Sequence, residues 1–133
     1  MCLSNNLLIL LDPKLLQEWF ESTGKKVLLT REPGGTTLGK DLRKILLDNA
    51  TGEISPRAEA LLYAADRAHH VYSTIRPALD RGDVVITDRY FDSSIAYQGA
   101  GRILSSTEVA RISRWATESL YPTLTIILDQ PAE

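Results

Sequence analysis

Four short segments carry side chains that can do chemistry on an anionic ligand. Thr30-Arg31-Glu32-Pro33-Gly34-Gly35-Thr36 follows an apolar run, and its proline and paired glycines allow tight turning and close backbone approach to a bound group. Arg31 can pair bidentately with a phosphate, although a plain strand-to-helix turn with a surface Arg31–Glu32 pair fits equally well. Tyr63, Arg67 and His70 fall at i, i+4 and i+7, so they share one stripe of a helix. There an aromatic ring can stack on a base while a guanidinium bonds its edge; an exposed face with a Tyr–Arg contact is the plainer account. Asp88 and Arg89 end the apolar run Val84–Ile86, where an acid can organise magnesium and an arginine can clamp a phosphoryl group, or where the pair can simply cap a strand. Ser93 to Arg102 offers Ser94, Tyr97 and Gln98 as polar contacts to sugar and base, or a helical turn running into a glycine-rich loop. His69 and His70 read as ordinary histidines, since no further Cys or His supports a metal site.

These segments must be held by an α/β frame, because short apolar runs alternate with helical patterns. Strands are expected at Leu7–Leu11, Val27–Thr30, Val84–Ile86 and Leu124–Leu128, giving four strands with five or six helices. Asp12 and Pro13 predict a helix start, Leu15, Leu16, Trp19 and Phe20 its apolar stripe, and Gly24 its end. Leu38, Leu42, Ile45 and Leu46 predict a second helix after Thr36 and Thr37. Ser55 and Pro56 open a third, with Ala58, Leu61, Leu62 and Ala65 facing inward. Pro77 is expected to start a separate helix closed by Gly82. Ser105 and Glu108 form a capping-box pattern ahead of Val109, Ile112 and Ala116, with Pro122 as the stop. In open α/β sheets ligands sit beyond the carboxyl ends of the strands, so the loops after Thr30, Asp88 and Leu128 are where chemistry is expected.

Composition narrows the function classes. The 133 residues suggest a single domain, and 44% apolar residues are ordinary for a globular protein. A formal net charge of -2 gives no field that would favour nucleic acid or an anionic membrane, so basic residues must act locally. One cysteine, Cys2, excludes a disulfide framework and points to a reducing, cytoplasmic setting. No apolar run approaches the ~20 residues that span a bilayer, and Met1–Leu11 lacks the basic start and cleavage site of a signal peptide.

Taken together and in this order, TREPGGT (30–36), LRKILL (42–47), EALLYAADR (59–67), DRYFDSSIAYQ (88–98) and GAGR (99–102) resemble the bacterial thymidylate kinase family, over about Leu15 to Asp129. The resemblance implies a three-layer fold of the P-loop-kinase type, with a parallel sheet flanked by helices. It implies transfer of the γ-phosphoryl of ATP to thymidine monophosphate (dTMP), with Mg2+, in a cytoplasmic homodimer whose contacts the apolar helix faces can supply. It places Tyr63 against thymine, Arg67 at the base edge and Arg89 on the monophosphate. Asp88 corresponds to the acid that orders magnesium, Ser94 and Gln98 to polar base contacts, and Tyr97 to the ring that excludes a 2′-hydroxyl. Glu32 and Arg43 correspond to polar positions of the monophosphate pocket. A related kinase with another base preference fits Tyr63, Arg67 and TREPGGT less well.

The sequence also departs from that family. Its glycine-rich loop, G-x-x-x-x-G-K-[ST], is expected after the first strand, but Leu7–Leu11 runs directly into Asp12-Pro13-Lys14-Leu15. Lys14 is no substitute, because no glycine precedes it. Residues 1–13 therefore read as an atypical replacement of the loop region, and Gln130–Glu133 as the stub of a lid and closing elements. On this reading residues 1–133 are one partial domain that keeps the acceptor site and lacks the ATP loop. The alternative to an enzyme is a non-catalytic dTMP-binding or dimerising remnant.

Overall fold

The computed structural model describes residues 12–99 and 104–127. The expected strand at Leu7–Leu11, Leu128 and the stub Gln130–Glu133 lie outside those residues, as does most of GAGR. Two strands, β1 (Val27–Arg31) and β2 (Val84–Asp88), form a parallel pair in the register Val27↔Val84 to Arg31↔Asp88. Glu32 N–H donates to the Asp88 carbonyl at 3.0 Å and extends the ladder by one residue. The carboxyl ends of both strands, with the loops that leave them, are thereby held side by side.

Helix α1 (Pro13–Ser22) starts and ends as its sequence directs. Asp12 accepts from Lys14 N–H at 2.9 Å, and Pro13 occupies the first turn. Gly24 takes φ +81, with Gly24 N–H on the Glu21 carbonyl and Lys25 N–H on that of Phe20, a Schellman closure. Helix α2 (Thr37–Leu47) is capped by the Thr36 hydroxyl, which accepts from Gly39 N–H. Of its expected stripe, Leu42 and Leu46 are half-buried, whereas Leu38 and Ile45 are exposed.

Helix α3 (Pro56–His70) corrects the expected facing. Its buried residues are Ala60, Ala64, Asp66, Arg67 and His70, while Leu61 and Ala65 are exposed. The polar stripe faces in because Thr30 of β1, Glu32 and Gly34 of the loop after it, Ser94, and Ser113 of the helix α6 (Ser106–Ala116) supply partners for every one of those polar groups. Burial of polar side chains is tolerated where they are paired. The second correction concerns Pro77. The chain does not break there but runs on through a π-helical turn, Val71–Ile75, into α4 (Arg76–Asp80). Arg76 N–H bonds the Val71 carbonyl five residues back. That wider turn accommodates a residue with no N–H and a bulky ring, for which an α-turn has no room. Gly82, at φ +79, closes α4 as expected.

After β2 a short helix, α5 (Phe91–Ser94), passes into a second π-helical turn, Ile95–Gly99. Helix α6 begins with the full capping box of Ser105 and Glu108. It stops at Ala116, well before Pro122, because Glu118 and Ser119 adopt left-handed φ values of 50 and 58. Residues 124–127 form no strand, and Leu124, Ile126 and Ile127 are exposed. A strand needs a neighbouring ladder, and neither edge of the pair β1–β2 takes this segment, so the described residues hold two of the three strands expected among them. The core lies among the helices: Val71, Ile75 and Tyr90 with Val85, Phe91 and Leu120, and Ala60, Leu104 and Val109 with Ile95.

Candidate functional site

The loop after β1 folds onto α3 because glycine occupies two points of contact. A Cβ on Gly35 would stand 2.6 Å from His70 Nε2 and 2.7 Å from the Arg31 carbonyl oxygen, and one on Gly39 would overlap Asp66 Oδ1. With those positions empty, Glu32 and Pro33 turn inward and become buried. Arg43 Nη1 donates to the Pro33 carbonyl at 3.2 Å, and Gly34 N–H donates to Asp66 Oδ1 at 3.3 Å. Burial raises the Asp66 carboxyl above the ordinary 3.8, against the Gly34 hydrogen bond, which lowers it; the Glu32 charge adds to the rise.

Glu32 pairs inward, with Arg67 and His70, and not with its neighbour Arg31. Its Oε2 accepts from Arg67 Nε at 2.8 Å, and its Oε1 lies 2.9 Å from His70 Nδ1. His70 is fully buried, and its Nε2 meets the Thr30 hydroxyl at 2.7 Å. Arg67 completes its set by donating from Nη1 to Ser113 Oγ at 3.2 Å and from Nη2 to Ser94 Oγ at 2.8 Å. Its guanidinium also lies 5.9 Å from the ring centre of Tyr90. Tyr90 is buried, donates to the Leu120 carbonyl, and has its phenol pushed up to about 12, chiefly by burial and then by the Glu32 charge.

Above this network opens a cavity of about 350 Å³, lined by Glu32, Pro33, Glu59, Tyr63, Arg67, Arg89, Tyr90, Ser93, Ser94 and Tyr97. It lies where the chain leaves β1 and β2, at the carboxyl ends of the strands. Most residues singled out from the sequence converge here: Glu32, Tyr63, Arg67, Arg89, Ser94 and Tyr97. Arg89 is exposed, adopts φ 65, and stands 5.8 Å from the Tyr97 ring centre. A left-handed arginine is uncommon and turns its side chain away from the strand direction toward the cavity mouth. Asp88 is exposed at the end of β2, beside the cavity but not in its lining. Arg43 stays outside too, holding the loop from behind. Gln98 belongs to the π-helical turn Ile95–Gly99, so its backbone is near the site.

Four contributors escaped the sequence reading. Asp66 and Tyr90 sat inside recognised motifs, next to Arg67 and Arg89, without an assigned role. His70 was on the right stripe but read as ordinary, and Ser113 sat in an amphipathic helix with nothing to distinguish it. Only the three-dimensional meeting of α3 and α6 reveals that Ser113 faces Arg67.

A parallel β-α-β frame with a polar, arginine-bearing cavity beyond its strand ends defines the class, an α/β domain with its cleft at the carboxyl ends of the strands. Residues 13–133 match the family model described as thymidylate kinase. The chain is 59% identical over 115 residues to a thymidylate kinase of Clavibacter sepedonicus and 61% identical over 115 residues to one of Leifsonia xyli, covering 86% of this chain and 54% of each relative. A thymidylate kinase of Bifidobacterium longum is 57% identical over 117 residues, 86% of this chain and 57% of its own length. The chain belongs to the thymidylate kinase family, with the P-loop-kinase type of α/β fold, and spans about half the length of the curated relatives it matches. No helix among the described residues is long and apolar enough to cross a membrane.

Proposed function

We propose that these residues form the dTMP site of a cytoplasmic, homodimeric thymidylate kinase that transfers the γ-phosphoryl of ATP to dTMP. The observation that carries this reading is the cavity in which Tyr63, Arg67, Arg89 and Tyr97 converge at the strand ends. At about 350 Å³ it falls in the range of small-molecule sites, roughly 300–1,000 Å³. Arg67 is donor-only, so it favours a base edge that presents a carbonyl. Tyr63 offers a ring face to the base. Arg89 offers a guanidinium to the phosphate, and Tyr97 stands beside it where the sugar would lie. In the reaction a dTMP phosphate oxygen bonds to the γ-phosphorus of ATP, the bond to the bridging oxygen breaks, and ADP leaves. Arg89 holds the attacking phosphate in line and offsets its charge.

Magnesium fits the donor set, because Asp88 presents a single exposed carboxylate at a strand end and Mg2+ is commonly held by one or two carboxylates together with substrate phosphates. The described residues hold no group of three or more His, Cys, Asp or Glu that would form an all-protein cage. When bound there, the ion would offset charge on the transferring group.

Leu7 to Leu15 read LLILLDPKL, without the glycines of a phosphate loop, which favours a second reading in which this polypeptide binds dTMP without phosphorylating it. Calorimetric titration with dTMP tests the site common to both. Binding that is lost on Arg89→Ala supports it, and no detectable binding at millimolar dTMP would sink it.

A further inference from the structure

We propose that His70 is a positioning residue for base recognition: acting through Glu32, it holds Arg67 in the orientation that faces the cavity. This rests on the cavity being a nucleoside-monophosphate site. The geometry supplies the argument. The Glu32 carboxylate is buried and has two oxygens, one given to Arg67 Nε and the other to His70 Nδ1. A carboxylate beside a guanidinium ordinarily takes two of its N–H groups at once, in a fork. Here that fork does not form, because His70 occupies the second oxygen. Arg67 Nη1 and Nη2 are then free to reach Ser113 and Ser94, which fixes the guanidinium plane from three sides. Two of its five N–H groups remain beyond those three bonds, one on each terminal nitrogen. The ring is itself locked from behind by the Thr30 hydroxyl at 2.7 Å, and Gly35 leaves the room that the ring needs.

Removing the imidazole therefore does more than open a gap. The freed Glu32 oxygen can capture a second Arg67 N–H and draw the guanidinium away from Ser94 and the cavity. The first loss is discrimination at the base edge, while sugar and phosphate contacts stand. A purely structural histidine would behave differently, weakening every ligand alike.

The test measures the binding of dTMP and of 5-methyl-deoxycytidine monophosphate, which differ only at N3 and the 4-position of the base, to the 133-residue chain. Wild type is expected to prefer dTMP. His70→Leu is expected to shrink that ratio by roughly tenfold, in keeping with loss of one or two buried hydrogen bonds. His70→Asn, which keeps an N–H close to the Nδ1 position, is expected to recover most of it. Thr30→Val removes the second bond to the ring at a half-buried site with little change of volume, and is expected to reduce the ratio by about threefold. A folded His70→Leu that kept the wild-type ratio would overturn the proposal, as would equal weakening of both nucleotides. Should His70→Leu fail to fold, an unchanged ratio in Thr30→Val and His70→Asn together with normal binding in Glu32→Gln would overturn it instead. Wild-type protein that bound neither nucleotide would remove the nucleotide reading itself, and this inference with it.

Discussion

At the scale of single residues, the candidate site separates side chains that touch a ligand from those that hold them. On the function proposed above, Tyr63 and Arg89, which line the cavity, are of the first kind. Tyr63→Ala is expected to weaken dTMP binding by about 1–3 kcal/mol, the usual worth of a base–aromatic stack, when measured by calorimetry; unchanged affinity would take Tyr63 out of the site. Arg89→Lys keeps the positive charge but not the planar fork, and is expected to weaken dTMP binding by roughly tenfold while binding of thymidine, which has no phosphate, stays the same. Equal loss for both ligands would mean that Arg89 serves the fold, where its left-handed backbone shapes the turn after β2. These cavity-lining residues were legible in the sequence because their motifs are local. The supporting ones were not, because Ser113 lies 46 positions from Arg67 and Glu32 lies 35 from it. No spacing rule connects residues so far apart; only the packing of α3 between the β1 loop and α6 does.

At the scale of elements, end signals were read well and faces were not. Asp12, Ser55 and Ser105 all cap the helices they were expected to start, and Thr36 caps the helix expected after it, because a cap depends on three or four neighbouring residues. Which side of α3 faces inward depends on what it meets, and what it meets is a polar network rather than an apolar wall. That burial carries a titration that can be measured. The Asp66 carboxyl is raised above 3.8 in the folded protein, so the folded state holds its proton more tightly than the unfolded state. Stability from this group is fully present below the unfolded value and falls as pH rises from 3.8 through the folded value. Asp66→Asn keeps an acceptor for Gly34 N–H and abolishes the titration. The thermal midpoint of the variant is therefore expected to gain on wild type as pH rises from about 4 to 7 and to match it most closely in acid. Melting curves across that range check this. A variant whose deficit widened toward neutral pH would mean that the ionised carboxylate stabilises the fold, through Arg67 and His70, more than burial penalises it.

At the scale of the whole molecule, the frame that holds the cavity follows a stretch, Leu7 to Leu15, without the glycines of a phosphate loop. The two-stranded pair β1–β2 and its helices hold the cavity, yet Trp19, Leu61, Trp115 and Ile127 are all more than half exposed. Apolar faces of that kind are suited to further protein surface, in keeping with the homodimer proposed above. An ATP triphosphate needs a preorganised cage of backbone N–H groups, a lysine and magnesium. Between Leu7 and Leu15 the sequence offers no glycine, and Pro13 has no N–H to give. Pro13 and Lys14 are already spent as the first turn of α1, where the Asp12 carboxylate accepts from Lys14 N–H at 2.9 Å; an anion placed there would have to displace that carboxylate and face its charge. A polypeptide of these 133 residues is therefore expected to bind dTMP and to give no measurable ADP in a coupled assay with ATP and magnesium. The same assay on a version carrying a G-x-x-x-x-G-K-[ST] loop ahead of α1 is the companion measurement, and a gain of turnover there would locate the deficit in the loop. Robust turnover by the original chain, abolished by Asp88→Ala, would overturn this expectation and require that ATP be held elsewhere on the β1–β2 frame.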